Sequence, residues 1–166
     1  MTILLRVAEP SDIAFIMECE RRPDYERFVG RWPEEKHRAF MAHPEFTYLV
    51  ANEDGAPLGF AILHEWMLRP QNLYLKRIAV HDTDKGHGRR MLSALNDWVF
   101  AETETHRFWL EVVEHNLRAQ HVYEQHGFVT EGIVREGYEE DDGTRGSFVQ
   151  MSLLKSDWLK RRGDAA

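Results

Sequence analysis

Residues Leu73–Phe128 read LYLKRIAVHDTDKGHGRRMLSALNDWVFAETETHRFWLEVVEHNLRAQHVYEQHGF, and the order of patterns in this stretch decides the fold. Leu73–His81 is β-prone and ends in a loop containing Gly86 and Gly88. A helix from about Gly88 to Ala101 follows, its buried face drawn by Met91, Leu92, Leu95, Trp98 and Val99 at helical spacing. Phe108–Val113 is a second strand. Asn116 then caps a helix ending at His126, and Gly127 suits the left-handed residue after its last turn. Strand, helix, strand, helix in this order fits a sheet with helices packed on its faces.

Working outward, Thr2–Val7 reads as a strand and Ser11 as the cap of a first helix carrying Ile13, Phe15, Ile16 and Met17. Pro23 and Pro33 punctuate two short helices, the second running from Pro33 through Phe40. Phe46–Ala51 and Pro57–Trp66 flank Asn52-Glu53-Asp54-Gly55, the pattern of a hairpin, and Arg69-Pro70-Gln71-Asn72 leads into the next strand. On the C-terminal side, Phe128–Arg135 and Gly146–Leu154 form a hairpin across the polar Glu139–Gly143 turn, and a short helix near Ser156–Arg161 closes the chain. The order β-α-α-β-β-β-α-β-α-β-β is that of one α/β (α+β) domain over residues 1–166, a mixed sheet with helices on both faces. Repeats and linkers are absent.

Bulk composition narrows the function. The 166 residues are 43% hydrophobic and 30% charged, with a net charge of −7. A nucleic-acid binder needs a basic field, so that class is not expected, whereas cationic substrates such as free amines are compatible. Cys19 is the only cysteine, which excludes an intrachain disulfide and a cysteine metal cluster. The nine histidines show neither an i, i+4 pair nor a His-x-His pair, and no metal is expected. With neither a signal-peptide pattern nor a bilayer-length apolar run, a cytoplasmic protein without a membrane partner is expected.

Gly86 and Gly88 at a helix start let a backbone approach a ligand closely, where free N–H groups favour a phosphate or pyrophosphate. Lys85, His87, Arg89 and Arg90 surround them, adding positive charge. Taken alone, a plain tight turn explains the glycine pair equally well. Two competing phosphate motifs are absent: there is no Gly-x-x-x-x-Gly-Lys-Ser/Thr, and the third glycine of Gly-x-Gly-x-x-Gly would fall on Met91.

The run Leu110-Glu111-Val112, Asn116, Ala119, Tyr123, Gly127-Phe128, preceded by Gly86-x-Gly88, resembles the GNAT acetyltransferase family, and the resemblance extends through nearly the whole chain. Met151-Ser152-Leu153-Leu154 before Ser156-Asp157-Trp158 looks like the branch acetylating ribosomal-protein N-termini and polyamines. The chain departs at Thr83, where many members carry Gln or Arg, and its Val80–Gly86 loop is shorter. The resemblance implies a mostly antiparallel sheet of about seven strands, splayed at the cofactor site between Leu73–His81 and Phe108–Val113. It implies acetyl-CoA as co-substrate, held along Ile78, Ala79 and Val80, on residues 85–90, and by Asn116, Ala119 and Tyr123. The Val80 N–H is the implied polariser of the thioester carbonyl.

Transfer is then direct, because Cys19 lies outside the motif. Tyr123, two helical turns beyond Asn116, is the implied acid for the departing thiolate, although a phenol here could equally pack on the sheet. Glu111 points away from its buried neighbours Leu110 and Val112 and is the candidate base, with Glu65, Tyr74 and His81 as rivals. Asn116 caps its helix, a role compatible with the contact to the pantetheine arm that the resemblance implies. Glu139-Glu140-Asp141-Asp142 reads as a solvated turn or an attractor for a cationic acceptor. The implied acceptor is a primary amine of a small molecule or a protein N-terminus, and relatives often form homodimers. Transfer of a longer acyl group, or a silent acyl-CoA sensor, are the alternatives.

Overall fold

The computed structural model describes residues 2–65, 71–83, 85–140 and 142–163. Trp66, Arg69 and Pro70 around the end of the second hairpin strand, Asp141 of the acidic turn, and both ends of the 1–166 domain lie outside these residues. The strands are β1 (Ile3–Val7), β2 (Phe46–Glu53), β3 (Ala56–Glu65), β4 (Asn72–Val80), β5 (Arg107–Val113), β6 (Val129–Glu139) and β7 (Arg145–Leu154). The helices are α1 (Ile13–Glu20), α2 (Glu34–Met41), α3 (His87–Glu102), α4 (Leu117–Gln125) and α5 (Lys155–Arg162), with short 3₁₀ turns at Pro10–Asp12 and Pro23–Tyr25.

The seven strands form one sheet in the order β1-β2-β3-β4-β5-β7-β6, antiparallel except for the parallel pair β4–β5. The β2–β3 hairpin turns at Asp54 (φ 51°) and Gly55 (φ 84°), two left-handed residues whose twist matches the flanking strands. One expectation fails at the first helix. Ser11 is not its cap; Asp12 turns back to accept the Glu9 N–H at 2.7 Å and pairs with Arg6, so the chain enters α1 through a 3₁₀ turn. A carboxylate three residues on outcompetes the serine because it satisfies the free N–H and a guanidinium together.

Each sheet face has its own core. Met91, Leu92, Leu95 and Val99 of α3 pack with Leu73, Leu75, Phe108, Leu110 and Met151, while Trp98 is only partly buried; Tyr123 of α4 and Trp158 of α5 border the same cluster. Ile16 and Cys19 of α1 pack on the other face with Tyr48, Val50, Phe60, Ile62 and Ala79. β4 changes sides partway along. Ile62 pairs with Arg77 but Leu63 with Leu75, so Lys76 is an extra residue, a β-bulge. Before it, Leu73 and Leu75 face α3; after it, Ala79 faces α1. A bulge bends and twists its strand, and here β4 leaves β5 at that point: their pairing ends at Leu75 with Leu110. Beyond it the strands diverge into a fork, the splay expected from the sequence.

Candidate active site

The fork exposes one edge of β4. His81 donates its N–H to Leu58 of β3 at 2.8 Å, so by strand alternation Val80 and Ile78 turn their N–H and C=O groups the other way, into the gap. A polar group already sits there. The Tyr25 hydroxyl accepts the Val80 N–H at 3.3 Å and donates to the Val80 carbonyl at 3.2 Å. An amide offers the same donor and acceptor pair, so this edge fits a pantetheine arm. Tyr25, unsuspected from sequence, comes from the segment between α1 and α2, which crosses the fork: Phe28 rests on His115 beyond β5, ring centroids 5.7 Å apart.

At the open end, Gly86 begins α3 with φ 71°, a left-handed start that favours glycine. A Cβ at Gly86 or Gly88 would meet nothing within 4 Å, so the protein's own packing does not require glycine at position 88, and the backbone there is open to close approach. The first-turn N–H groups of α3 have no intrahelical acceptors. The expected cations divide. Arg89 is exposed and Lys85 is paired loosely with Asp82 at 2.7 Å, both at the helix mouth. Arg90 instead forms a two-pronged ion pair with Glu53 at the end of β2, which commits its charge to the fold. His87 turns back to the Asp82 carbonyl at 3.2 Å. Two arginines absent from the sequence reading reach the same loop: Arg118 of α4 bonds the Thr83 carbonyl and Arg22 the Thr83 hydroxyl, at 3.5 and 3.4 Å. Arg118 lies inside the Asn116–Ala119 motif, where its spacing was the available clue.

On the far side of the fork, Asn116 caps α4 by accepting the Ala119 N–H at 3.2 Å. Tyr123 sits two turns on, partly buried, its ring edge-on to Phe128 with centroids 5.6 Å apart. Burial, with a smaller push from Tyr25, raises its pKa and keeps the phenol protonated. The Tyr123 phenol also adds a small upward push to the Tyr74 pKa. Glu111 is half-buried on the face opposite Leu110 and Val112 and accepts from the Tyr74 hydroxyl at 3.5 Å. Burial raises its pKa above the ordinary carboxylate value, although the Tyr74 hydrogen bond and the Lys76 charge pull the other way.

The rivals for base are placed elsewhere. His81 is held by Glu18 at 3.0 Å and stacks on Phe15, on the far edge of β4. Glu65 lines a small cavity with Leu63, Leu73 and Trp98 on the α3 face. Tyr74 is beside Glu111, but burial and that carboxylate push its pKa up, which suits a donor rather than a base. Cys19 is fully buried with its thiol pushed up to about 12, so it is no nucleophile. The acidic turn holds itself: Glu139 pairs with Arg145 at 2.8 Å and Asp142 accepts from Thr144.

A buried polar network anchors the α1–α2 segment. Glu20, with no exposed surface, accepts from His37 at 3.1 Å, from the Trp32 N–H at 3.3 Å and from Arg77 at 2.5 Å, and His37 also meets the Tyr48 hydroxyl at 3.3 Å. Arg77 adjoins Ile78, so this network fixes the segment bearing Tyr25 to the strand it touches.

Comparison with known proteins agrees with this geometry. Residues 13–128 match the Acetyltransferase (GNAT) family. The chain is 32% identical to the spermidine N(1)-acetyltransferase of Vibrio cholerae serotype O1, over 96% of both chains. A structure of spermidine N-acetyltransferase from Vibrio cholerae in complex with CoA and spermine superposes with a TM-score of 0.81 at 22% identity, covering 95% of this chain and 98% of that one. The ribosomal-protein-S18-alanine N-acetyltransferase from Escherichia coli gives 0.73 at 24% identity, over 92% and 94%. At these identities the two structures are alike in fold.

Proposed function

The chain belongs to the GNAT acetyltransferase family, and on that premise we propose that Glu111 of β5 and Tyr123 of α4, both beside the β4–β5 fork, serve direct acetyl transfer to a primary amine. The enzyme is an acetyl-CoA-dependent N-acetyltransferase. Bound acetyl-CoA supplies an activated acetyl thioester. The observation that carries the reading is the fork itself: a β4 edge with satisfied-on-demand N–H and C=O groups, flanked by a carboxylate and a protonated phenol.

In this reading Ile78, Ala79 and Val80 hold the pantetheine arm, and Gly86, Gly88 and the α3 N-terminus hold the pyrophosphate, with Lys85, His87, Arg89 and Arg118 around it. Arg90 supports the loop through Glu53 rather than touching phosphate. Asn116 and Ala119 set the α4 start, which aims Tyr123. Ile78 and Val80 both turn their N–H groups into the fork, and Ile78 is the nearer to the point where β4 leaves β5 beside Glu111; its N–H suits a carbonyl attacked by an amine at Glu111, and Val80 suits a pantetheine amide. Glu111 accepts the amine's proton, its raised pKa bringing it nearer the working pH; Tyr123 holds a proton for the departing sulfur.

The acceptor is a primary amine of a small molecule or a peptide N-terminus, and the enzyme acts in the cytoplasm without a nucleic-acid or membrane partner. Val129 and Ile133, exposed on edge strand β6, offer a surface for a homodimer. Thiol release from acetyl-CoA, measured over a panel of amines, tests the reading. Release should require an amine and should fall roughly 10²-fold or more in Glu111→Gln, most at low pH. Amine-independent release, or an unchanged pH profile in that variant, would overturn it.

A further inference from the structure

A second concentration of charge lies on the α1–α2 side of the sheet, outside the chemistry above. Three cationic groups gather around the indole of Trp32. Arg77 lies 3.9 Å from the ring centroid, Lys36 4.5 Å and Lys76 5.4 Å. One is balanced: Arg77 bonds the buried Glu20. Among the described residues, neither Lys36 nor Lys76 forms an ion pair.

Lys76 owes its place to the bulge, and its half-buried ammonium also lies 5.9 Å from the Tyr74 ring. Burial, then Arg77 and Lys36, make its charge harder to hold and lower its pKa, while Glu111 across the fork works the other way. Lys76 has only Glu111, across the fork, to oppose its charge, and Lys36 pairs with no carboxylate among the described residues, so an added anion between them is favoured. Their position gives that anion a role. Leu75 pairs with Leu110, so Lys76 and Glu111 are neighbours across the mouth of the fork, and Tyr74 touches both, its ring beside Lys76 and its hydroxyl on Glu111.

We propose that Lys76 and Lys36, set against Trp32, form an anion subsite for the acceptor, so that the amine delivered to Glu111 carries a carboxylate or phosphate a few ångströms from its nitrogen. The inference rests on the acetyl-transfer reading and deepens it. A polycationic amine would bring a second positive charge against Lys76 and is disfavoured. The chain then shares its fold and chemistry with spermidine acetyltransferases, and differs in the charge of what it acetylates. Glu131 and Glu20 are already engaged, Glu131 by Arg107, Gln150 and Ser152, and Glu20 by Arg77 and His37.

The test uses matched acceptors: an ω-aminoalkanoate, the alkylamine of equal length, the corresponding diamine, and a short peptide with an acidic first residue. kcat/KM is measured with acetyl-CoA, and thermal stabilisation by each acceptor with coenzyme A, where no transfer can occur. The wild type should favour the aminoalkanoate over the diamine roughly 10- to 100-fold. Lys76→Gln and Lys36→Gln should shrink that ratio, and Lys76→Glu should invert it. A stronger response to the peptide than to the aminoalkanoate identifies a protein N-terminus as the source of the same chemistry. Equal or better use of the diamine by the wild type, or an unchanged ratio in Lys76→Glu, overturns the subsite. Charge-dependent stabilisation without turnover of any amine would keep the subsite and sink the transfer reading; turnover blind to charge would do the reverse.

Discussion

Glu20 carries a sharp test of how the catalytic fork is supported. It is wholly buried, and its two oxygens serve Arg77, His37 and the Trp32 N–H. Glu20→Gln keeps the shape, removes the charge, and turns an amide N–H₂ towards groups that donate. Arg77, with a side chain only 9% exposed, then lacks its counter-ion. Removing one partner of a buried ion pair costs about 3–5 kcal/mol. For a chain of this size each kcal/mol is worth roughly 2–4 °C, so the melting temperature should fall by about 6–20 °C. The pH dependence gives a second reading. Burial alone would raise the Glu20 pKa, but the His37 hydrogen bond and the Arg77 charge outweigh it and hold the carboxyl below its ordinary 4.5. Its contribution is therefore fully present above that value and is lost as pH falls through the lower folded value. Circular-dichroism melts across the acid range should show wild type losing stability with acid more steeply than Glu20→Gln. A variant within about 2 °C of wild type near neutrality, or with the same acid slope, would refute the network's role. Replacing Arg77 as well should recover much of the loss, because the stranded charge is then gone.

Gly88→Leu should leave the free protein as stable as wild type or slightly more so, since an added side chain meets open space and glycine is the poorer helix former by about 1 kcal/mol. The same variant should lose the thermal stabilisation that acetyl-CoA gives wild type, and undiminished stabilisation would remove this loop from the cofactor site. Tyr25→Phe frees the Val80 N–H and carbonyl from a hydroxyl that competes with the cofactor for them. A hydrogen bond worth about 1 kcal/mol implies roughly fivefold tighter acetyl-CoA binding by calorimetry; weaker binding would show that Tyr25 holds the cofactor rather than its place.

Much of the fold was legible because local signals and long-range packing agree. Asp54-Gly55 turned as a hairpin, Asn116 capped α4, and the helical spacing of Met91, Leu92, Leu95 and Val99 named the face that meets the sheet. What stayed hidden depends on groups brought together from afar. Glu20 sits in the charged run Glu18-Cys19-Glu20-Arg21-Arg22 with no motif to mark it; only the stacking of α1, α2, β2 and β4 encloses it with His37, Tyr48 and Arg77. Arg90 looked like a phosphate ligand because the sequence cannot show that Glu53 lies alongside. The bulge at Lys76 has no signal in an unbroken β-prone run, yet β4 leaves β5 there, and Lys76 and Arg77 turn towards Trp32 and Glu20. Tyr25, between two prolines and away from every motif, offered nothing to mark it.

Single-turnover transfer by Tyr123→Phe tests whether the fork performs acetyl transfer with Tyr123 as its proton donor. The substitution keeps the ring against Phe128 and removes only the hydroxyl, so stability and acetyl-CoA affinity should barely move. Single-turnover rates report the chemical step before product release can mask it. That step should fall roughly 10²–10⁴-fold, the span for a lost general acid. A Phe variant that transfers acetyl at the wild-type rate, with loss appearing only in a destabilised Tyr123→Ala, would make Tyr123 a packing residue and not the acid.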